Sequence, residues 1–279
     1  MLSPHNQVYD SLDVEEDVKH RFTKVGYSKR YTPLYKNPLP KFFLWENSIR
    51  IVRIRNQLTE RGFPCNSCWA HTVIAAAEIM LSTELNQNIQ LSDDELINCD
   101  QTNSGCQSGS TKRAFIRGYL KGYKLLQLYD PNGPCPVKSD VRLKQLFVFP
   151  KGDHNLMAHF LAFRGPIAVN VVWPYSMYTY SGFRIIRAYE CEQSKHQQPA
   201  HAVLIVGYGE ENGIKYWILR NSYGLSWGYR GHFRLERGAD ACQVESHASA
   251  ATFGSQMSTA TLFDLQQQQQ QQWQQQYYR

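Results

Sequence analysis

The chain has 279 residues, of which 42% are hydrophobic and 13% aromatic, so it can bury a sizeable core and is not a disordered protein. Its net charge of +6 comes from scattered lysines and arginines, which indicates a mildly basic surface and argues against nucleic-acid binding. The longest apolar runs reach only strand length, so no segment is expected to span a membrane.

Residues 1–38 are polar and rich in lysine and tyrosine, and Pro33 and Pro38 interrupt any regular element near the end of this segment. We interpret it as a leader or prosegment. Its first 22 residues contain no apolar stretch of the kind that a secretory signal needs. We therefore expect either a signal upstream of a truncated start or an unusual route of delivery.

Apolar residues recur at helical spacing from Cys68 to about Leu85, which predicts a buried helix that begins at or beside Cys68. From Gly165 onward the pattern changes to short apolar runs separated by Gly, Pro and Asn turns, which predicts strands. These runs are "PIAVNVVW", "HAVLIVGYG", "KYWILRNS" and "GHFRLERG". The chain is thus predicted to form a helical lobe followed by a β-rich lobe. The Gln-rich residues 256–279 are predicted to form a disordered tail.

Seven cysteines lie at positions 65, 68, 99, 106, 135, 191 and 242. An odd number favours three disulfides with one free thiol, and hence an oxidising compartment. The alternative is seven reduced cysteines in a cytosolic protein. The "CNSC" motif at residues 65–68 is compatible with a redox pair, half of a zinc site, or a nucleophile with a structural neighbour.

A helix N-terminus stabilises a thiolate, so Cys68 is placed where a nucleophile would be activated. A thiol nucleophile needs a base, and among nine histidines His201 differs because it opens an apolar strand. Asn221 ends the next strand, where its amide can orient an imidazole. Gln57 precedes the helix and can donate to an oxyanion. Taken singly, these three could be a core or edge histidine, a turn residue and a loop glutamine.

Four motifs then occur in order across about residues 39–254: "NQ…CNSCWAH", "NCD…GCQSG", "AHAVLIVGYG" and "YWILRNSYGLSWGYRGHFRLERG". Together they closely resemble the papain-like cysteine peptidases. The resemblance implies an α+β, two-lobe fold with an N-terminal helical lobe, a C-terminal antiparallel β-barrel-like lobe and an active site in the cleft between them. The peptidase domain would span 39–255, with the helical lobe at about 50–150 and the β lobe at about 151–255.

The same resemblance implies the role of each site residue. Cys68 would be the nucleophile, His201 the general base and then acid, and Asn221 the residue that orients the imidazole. Gln57 would form the oxyanion hole with the backbone N–H of Cys68. The implied disulfides are Cys65–Cys106, Cys99–Cys135 and Cys191–Cys242, which leaves Cys68 as the free thiol and removes the redox and zinc interpretations of "CNSC".

By resemblance, the protein would be a zymogen that needs no metal or cofactor. We expect it to act as a monomer on protein or peptide substrates, without nucleic-acid or membrane partners, in a lysosome-like compartment or after secretion. The substrate-binding residues would be Asn66, Ser108, Gly109, Trp69, Tyr223, Trp227 and Arg61.

Within the family the chain looks most like the cathepsin X (cathepsin Z) branch, which removes single residues from protein C-termini. The loop "LTERGFP" that follows Gln57 is extended, and it offers Arg61 as a cation for a terminal carboxylate, with Glu60 beside it as a possible neutralising charge. Asn66 and Ser108 stand where the family has glycines, and Tyr223 replaces a tryptophan that shields the Asn–His hydrogen bond. A catalytically weak or inactive homologue that serves as a binding protein is the alternative hypothesis.

Overall fold

The structure is a computed structural model that describes residues 22–24, 38–45, 53–85, 87–194 and 196–253. Most of the predicted leader and all of the Gln-rich tail therefore lie outside the described residues. Within the described part of the chain, no helix combines the length and the apolar character that crossing a membrane requires.

The described α-helices are α1 (Cys68–Leu85), α2 (Asp93–Cys99), α3 (Thr111–Leu120) and α4 (His154–Phe163). Helix α1 begins at Cys68, as predicted, and its residues 68–82 are buried. The N-termini of the other three helices are capped, because the side chains of Ser92, Ser110 and Asp153 each accept a hydrogen bond from a backbone N–H in the first turn. Helix α1 thus lies inside the molecule, with α2 and α3 packed against it.

The strands are β1 (Phe22–Lys24), β2 (Phe43–Leu44), β3 (Gln145–Val148), β4 (Ile167–Val171), β5 (Ile185–Ile186), β6 (His201–Glu211), β7 (Ile214–Arg220), β8 (His232–Glu236) and β9 (Ala248–Thr252). They form one sheet in the order β1-β3-β9-β4-β6-β7-β8-β5, and β2 pairs with β6 beside this path. Strands β4, β6, β7 and β8 each overlap one of the four predicted apolar runs, with β6 and β7 extending at most two residues beyond theirs, so the strand prediction is confirmed there.

The mixed α+β fold is confirmed, but the predicted barrel-like form of the β lobe is not. In the described residues the two end strands, β1 and β5, pair only with β3 and β8, so the sheet is open. Strand β5 is only two residues long and is followed by a short 3-10 helix (Ala188–Ser194). A closed barrel requires every strand to have two neighbours. Strand β5 is so short that it offers few backbone groups for hydrogen bonds to a second neighbouring strand.

Secondary structure also crosses the predicted lobe boundary near residue 150. Strand β3 precedes that boundary and pairs with β9 near the end of the domain, and helix α4 lies within the predicted β lobe. Helix α1 packs against β6, the strand that His201 opens. The fold therefore brings the beginning of α1 and the beginning of β6 to the same region of the molecule.

Candidate active site

Cys68 is the first residue of α1 and is the free cysteine of the described residues. The other six cysteines form Cys65–Cys106, Cys99–Cys135 and Cys191–Cys242, the same pairs that the resemblance implies. The Cys65–Cys106 bond ties the segment just before Cys68 to the loop at residues 104–109. The sulfur of Cys65 is therefore not available to share a metal or a redox bond with Cys68.

The thiol of Cys68 is buried, with 4% of its surface exposed. Burial raises its pKa to about 11, although hydrogen bonds from the backbone N–H groups of Ala202, Trp69 and Cys68 itself act in the opposite direction. The sequence predicts a thiolate stabilised by the helix N-terminus. In this conformation, desolvation outweighs that stabilisation and the thiol is neutral at pH 7.

His201 and Asn221 lie on neighbouring strands, His201 at the start of β6 and Asn221 directly after β7. The Nε2 of His201 is 2.7 Å from the Oδ1 of Asn221. The same Oδ1 accepts a hydrogen bond from the backbone N–H of Ser222 at 2.8 Å, so the amide oxygen faces the imidazole and Nε2 carries the proton. This contact leaves Nδ1 to act as a proton acceptor elsewhere.

Two aromatic rings enclose the imidazole of His201. The ring centroid of Trp173 lies 4.3 Å from it and that of Tyr223 lies 5.1 Å from it. Burial lowers the pKa of His201 to about 4, while the hydrogen bond with Asn221 acts to raise it. Tyr223 therefore packs on the imidazole of His201, and Trp173, which the sequence analysis missed, approaches the ring more closely.

The Gln57 side chain is held at both ends of its amide. Its Oε1 accepts a hydrogen bond from the Ser222 hydroxyl at 2.6 Å, and its Nε2 donates to the carbonyl of Cys65 at 3.2 Å. Its backbone N–H also donates to the carbonyl of Ser222 at 2.9 Å. Because Ser222 follows Asn221 directly, these bonds join Gln57 to the segment that orients His201.

The helical side of the site contains Asn66, Ser108, Gly109 and Trp69. Asn66 and Ser108 are half-buried, and the Asn66 side chain points to the carbonyl of Gln107, 3.5 Å away. A Cβ on Gly109 would lie 2.4 Å from the ring of Trp69. Trp69 therefore occupies the space that any larger residue at position 109 would need.

The guanidinium of Arg61 is held by residues of helix α2. One guanidinium nitrogen pairs with the carboxylate of Asp94, and the other donates to the Oδ1 of Asn98 at 3.0 Å. Glu60, predicted as a neutralising neighbour, instead pairs with Arg53 at 2.9 Å. The expected role of Arg61 as a cation for a terminal carboxylate is therefore not supported, because helix α2 supplies the partners of its guanidinium.

Trp227, predicted to bind substrate, is buried, and its indole N–H donates to the carbonyl of Met177 at 3.1 Å. That bond holds the short 3-10 helix Tyr175–Met177, and Tyr178 follows this helix directly. The rings of Tyr178 and Tyr223 are stacked, with centroids 6.2 Å apart and an interplanar angle of 14°. Trp227 also packs edge-on against Tyr223 and lies 5.9 Å from Trp173, measured between ring centroids, so it supports the two rings that enclose His201.

A buried polar cluster lies below the N-terminal turn of α1. Arg55 contacts Glu78 through two hydrogen bonds of 2.9 and 2.8 Å, and its Nε donates to Asp93 at 2.5 Å. The ring of His71 bridges Asp93, at 3.0 Å, and the hydroxyl of Ser67, at 2.9 Å. Burial opposes ionisation of Asp93, but the charges of Arg55 and His71 hold its pKa well below the ordinary value.

Sequence reasoning missed four residues of this region. Ser222 lies inside the "NSYG" motif and His71 inside "CWAH", so the motifs themselves were the available signal. Trp173 ends an apolar strand and Tyr178 lies in a turn, and nothing local distinguishes them from core or surface aromatics. Within the described residues, no group of three or more His, Cys, Asp or Glu side chains is arranged to hold a metal.

A model of papain family cysteine proteases matches residues 39–252. The viral cathepsin of Adoxophyes honmai nucleopolyhedrovirus is 31% identical over 228 residues, covering 78% of this chain and 64% of the relative. The pro-cathepsin H of Bos taurus is 32% identical over 228 residues, covering 76% of this chain and again 64% of the relative. The chain thus spans less than two thirds of the length of both.

Among solved structures, digestive procathepsin L2 proteinase from the larval midgut of Tenebrio molitor is similar, with a TM-score of 0.72 and 27% identity. The match covers 85% of this chain and 76% of that chain. A mite allergen structure that compares Blo t 1 with Der p 1 has a TM-score of 0.67 at 25% identity and covers 85% of this chain and 76% of that chain.

Proposed function

The chain belongs to the papain family of cysteine proteases, because the family model matches residues 39–252, and we propose on this basis that it hydrolyses peptide bonds through a thioester on Cys68. The observation that carries the proposal is the 2.7 Å contact between His201 Nε2 and Asn221 Oδ1. This contact orients an imidazole beside the strand position Ala202, whose backbone N–H reaches the sulfur of Cys68.

In the first half of the reaction, His201 accepts the thiol proton at Nδ1 and the sulfur of Cys68 attacks the peptide carbonyl carbon. The carbonyl oxygen becomes an oxyanion in the tetrahedral intermediate. The Nε2 amide of Gln57 and the backbone N–H of Cys68 donate to that oxygen. The C–N bond then breaks, the imidazolium gives its proton to the leaving amine, and a thioester remains.

In the second half, water attacks the thioester carbon while His201 accepts a proton from it. The C–S bond breaks, the carboxylic product leaves, and the sulfur recovers its proton from the imidazolium. Ser222 supports both halves because its hydroxyl fixes Oε1 of Gln57 at 2.6 Å. The Gln57 amide nitrogen is therefore turned toward the carbonyl of Cys65 before the substrate binds.

We propose a cathepsin X-type specificity with carboxypeptidase activity as the finer assignment. The extended "LTERGFP" loop supports it. We also propose the organisation expected from the sequence: a leader at 1–38, a peptidase domain at 39–255 and a tail at 256–279. The three disulfides support an oxidising location, which we propose to be lysosome-like or extracellular.

A second candidate function is a weak or inactive homologue that binds peptides without cleaving them. One observation favours it, namely the burial of Cys68 and His201, which raises the thiol pKa to about 11 and lowers the imidazole pKa to about 4. Because these pKa values favour the neutral thiol and the neutral imidazole, the thiolate–imidazolium ion pair must form when the substrate enters. The two candidates therefore differ in whether Cys68 reacts.

The deciding experiment is labelling of the protein with a thiol-directed epoxide or vinyl-sulfone peptide probe. We expect modification at Cys68, loss of labelling in Cys68→Ala, and labelling at least tenfold slower in His201→Ala. Labelling of His201→Ala at the wild-type rate would show a merely accessible thiol and would favour the binding function. A folded protein that the probe does not label would also favour the binding function.

A further inference from the structure

Tyr178 is an exposed aromatic residue beside the catalytic pair. Its side chain is 43% exposed, in contrast to its neighbours Tyr223 and Trp173, which are 7% and 9% exposed. Its ring stacks on Tyr223 and meets Trp173 edge-on, with centroids 6.4 Å apart. Both neighbours in turn pack on the imidazole of His201. Tyr178 therefore forms the solvent-facing end of the aromatic group that encloses His201.

The hydroxyls of Tyr178 and Tyr223 interact. The interaction lowers the pKa of Tyr178 and raises that of Tyr223. Shifts in these directions mean that the anionic form of Tyr178 is the one stabilised, so its oxygen acts as the acceptor. The proton of Tyr178, at this exposed position, can then be donated to a ligand.

This hydroxyl also lies within electrostatic reach of the nucleophile. Burial raises the pKa of Tyr178, and the negative charge of a Cys68 thiolate raises it further. The segment that carries Tyr178 is held by a hydrogen bond, because the indole N–H of Trp227 donates to the carbonyl of the preceding residue, Met177, at 3.1 Å. A phenol held this firmly can donate a hydrogen bond at little cost in conformational entropy.

The side of the site on which Tyr178 lies indicates what it would contact. In the proposed reaction His201 gives its proton to the leaving amine, so the leaving part of the substrate must lie next to the imidazole. The residues that enclose the imidazole, and Tyr178 beyond them, then face that part of the substrate. Asn66 and Ser108, by contrast, lie beside the Cys65–Cys106 disulfide, and we expect them to face the part that is retained as the thioester.

We propose that the hydroxyl of Tyr178 donates a hydrogen bond to a backbone oxygen of the residue that follows the scissile bond. This inference rests on the proposed function. The oxygen belongs either to a peptide carbonyl, in an internal cleavage, or to a terminal carboxylate, in removal of the last residue. Since Arg61 is engaged by Asp94 and Asn98, the tyrosine is the better placed of the two to meet such a carboxylate.

The test compares Tyr178→Phe with the wild-type protein on three substrates that share the residues before the scissile bond. The first carries an aminomethylcoumarin leaving group and has no residue after the bond. The second and third carry one further residue, with an amidated or a free terminus. Phenylalanine keeps the ring stack on Tyr223 and removes only the hydroxyl, and Tyr175→Phe, at the 85% exposed neighbour, is the matched control.

We expect Tyr178→Phe to lower kcat/KM for the extended substrates by roughly three- to tenfold relative to the coumarin substrate, and Tyr175→Phe to leave the ratio unchanged. If kcat/KM relative to the coumarin substrate falls only for the substrate with a free terminus, the acceptor is the terminal carboxylate. If it falls for both extended substrates, the acceptor is the peptide carbonyl. An unchanged ratio, or equal losses on all three substrates, overturns the inference while coumarin release still supports the peptidase. If the wild-type protein cleaves none of them, the proposed function fails and the inference fails with it.

Discussion

The Nε2 of His71 lies 2.9 Å from the Oγ of Ser67, the residue immediately before the proposed nucleophile. Nδ1 of the same ring lies 3.0 Å from Asp93 Oδ1, and all three residues are buried. An ionised carboxylate can only accept, so Nδ1 of His71 carries a proton. The contact therefore joins the first turn of α1 to a charged cluster in the interior of the helical lobe.

Replacement of His71 by phenylalanine removes both contacts, which leaves Asp93 to its bond with Arg55 and the Ser67 hydroxyl to its 3.4 Å contact with the carbonyl of Cys65. We expect the free energy of unfolding to fall by about 2 kcal/mol, measured by denaturant titration. In a double-mutant cycle, Ser67→Ala added to His71→Phe should cost little more, because the shared contact is already lost. Fully additive effects would show that the two side chains do not interact.

Replacement of Asn221 by alanine removes the hydrogen bond that orients His201. Since hydrogen bonds to charged groups contribute roughly 1.5–3 kcal/mol, we expect kcat/KM to fall about 10- to 100-fold. The measurement is steady-state hydrolysis of a peptide substrate, with denaturant titration to establish that the variant is folded. A folded variant with wild-type kinetics would remove Asn221 from the mechanism.

Replacement of Ser222 by alanine frees the Oε1 of Gln57 from its 2.6 Å contact. We expect a loss in kcat of roughly threefold to tenfold, because the amide is present but less well oriented. Gln57→Ala should lose about 100-fold or more, the usual effect of deleting an oxyanion-hole donor. Equal losses in the two variants would contradict the assignment of Ser222 as a residue that positions Gln57.

The lowered pKa of His201 makes stability depend on pH. Its folded value of about 4 lies below the ordinary value of 6.5, so the unfolded chain binds the proton more readily. The stabilisation is complete above pH 6.5 and is lost as the pH falls toward 4, by a total of about 3 kcal/mol. Denaturant titrations in a Cys68→Ala background, which prevents autolysis, should show this loss.

The control for this pH dependence is His201→Gln in the same background, which has no titrating ring at this position. Its free energy of unfolding should vary less between pH 6.5 and 4 than that of the parent. Parallel pH profiles for the two proteins would mean that other groups cause the dependence.

Replacement of Gly109 by alanine places a Cβ 2.4 Å from the ring of Trp69. Overpacking of this kind costs about 1–3 kcal/mol, and the ring must move from its hydrogen bond with the carbonyl of Gly105, which is 3.2 Å long. We expect lower stability together with slower labelling of Cys68. Ser104→Ala, at an exposed position in the same loop, should change neither, and an equal effect of both variants would exclude the contact with Trp69 as the cause.

Much of the fold could be predicted because its signals are local. Apolar runs of strand length became β4, β6, β7 and β8, and apolar residues at helical spacing became α1, beginning at Cys68. The odd cysteine count indicated one free thiol, and the order of the motifs around Cys68, His201 and Asn221 indicated the family. These properties depend on residue type and spacing, which the sequence contains in full.

The open sheet and the partner of Arg61 depend on residues far apart in the chain. Sequence spacing cannot show that Asp94 and Asn98 bring helix α2 against the loop of Arg61. It also cannot show how many neighbours a two-residue strand such as β5 obtains. The prediction of a barrel-like lobe was wrong for that reason, and the partners of Arg61 could not be predicted.

By itself, the sequence determined the identity of the candidate nucleophile, base and orienting amide, since these follow from residue types in a recognisable order. Only the tertiary structure decided their environment: the burial that neutralises Cys68 and His201, the contact of Ser222 with Gln57, and the placement of Tyr178 beyond the imidazole. Burial and hydrogen-bond geometry arise from packing between distant segments. The pKa values and orientations on which reactivity depends are therefore properties of the folded chain.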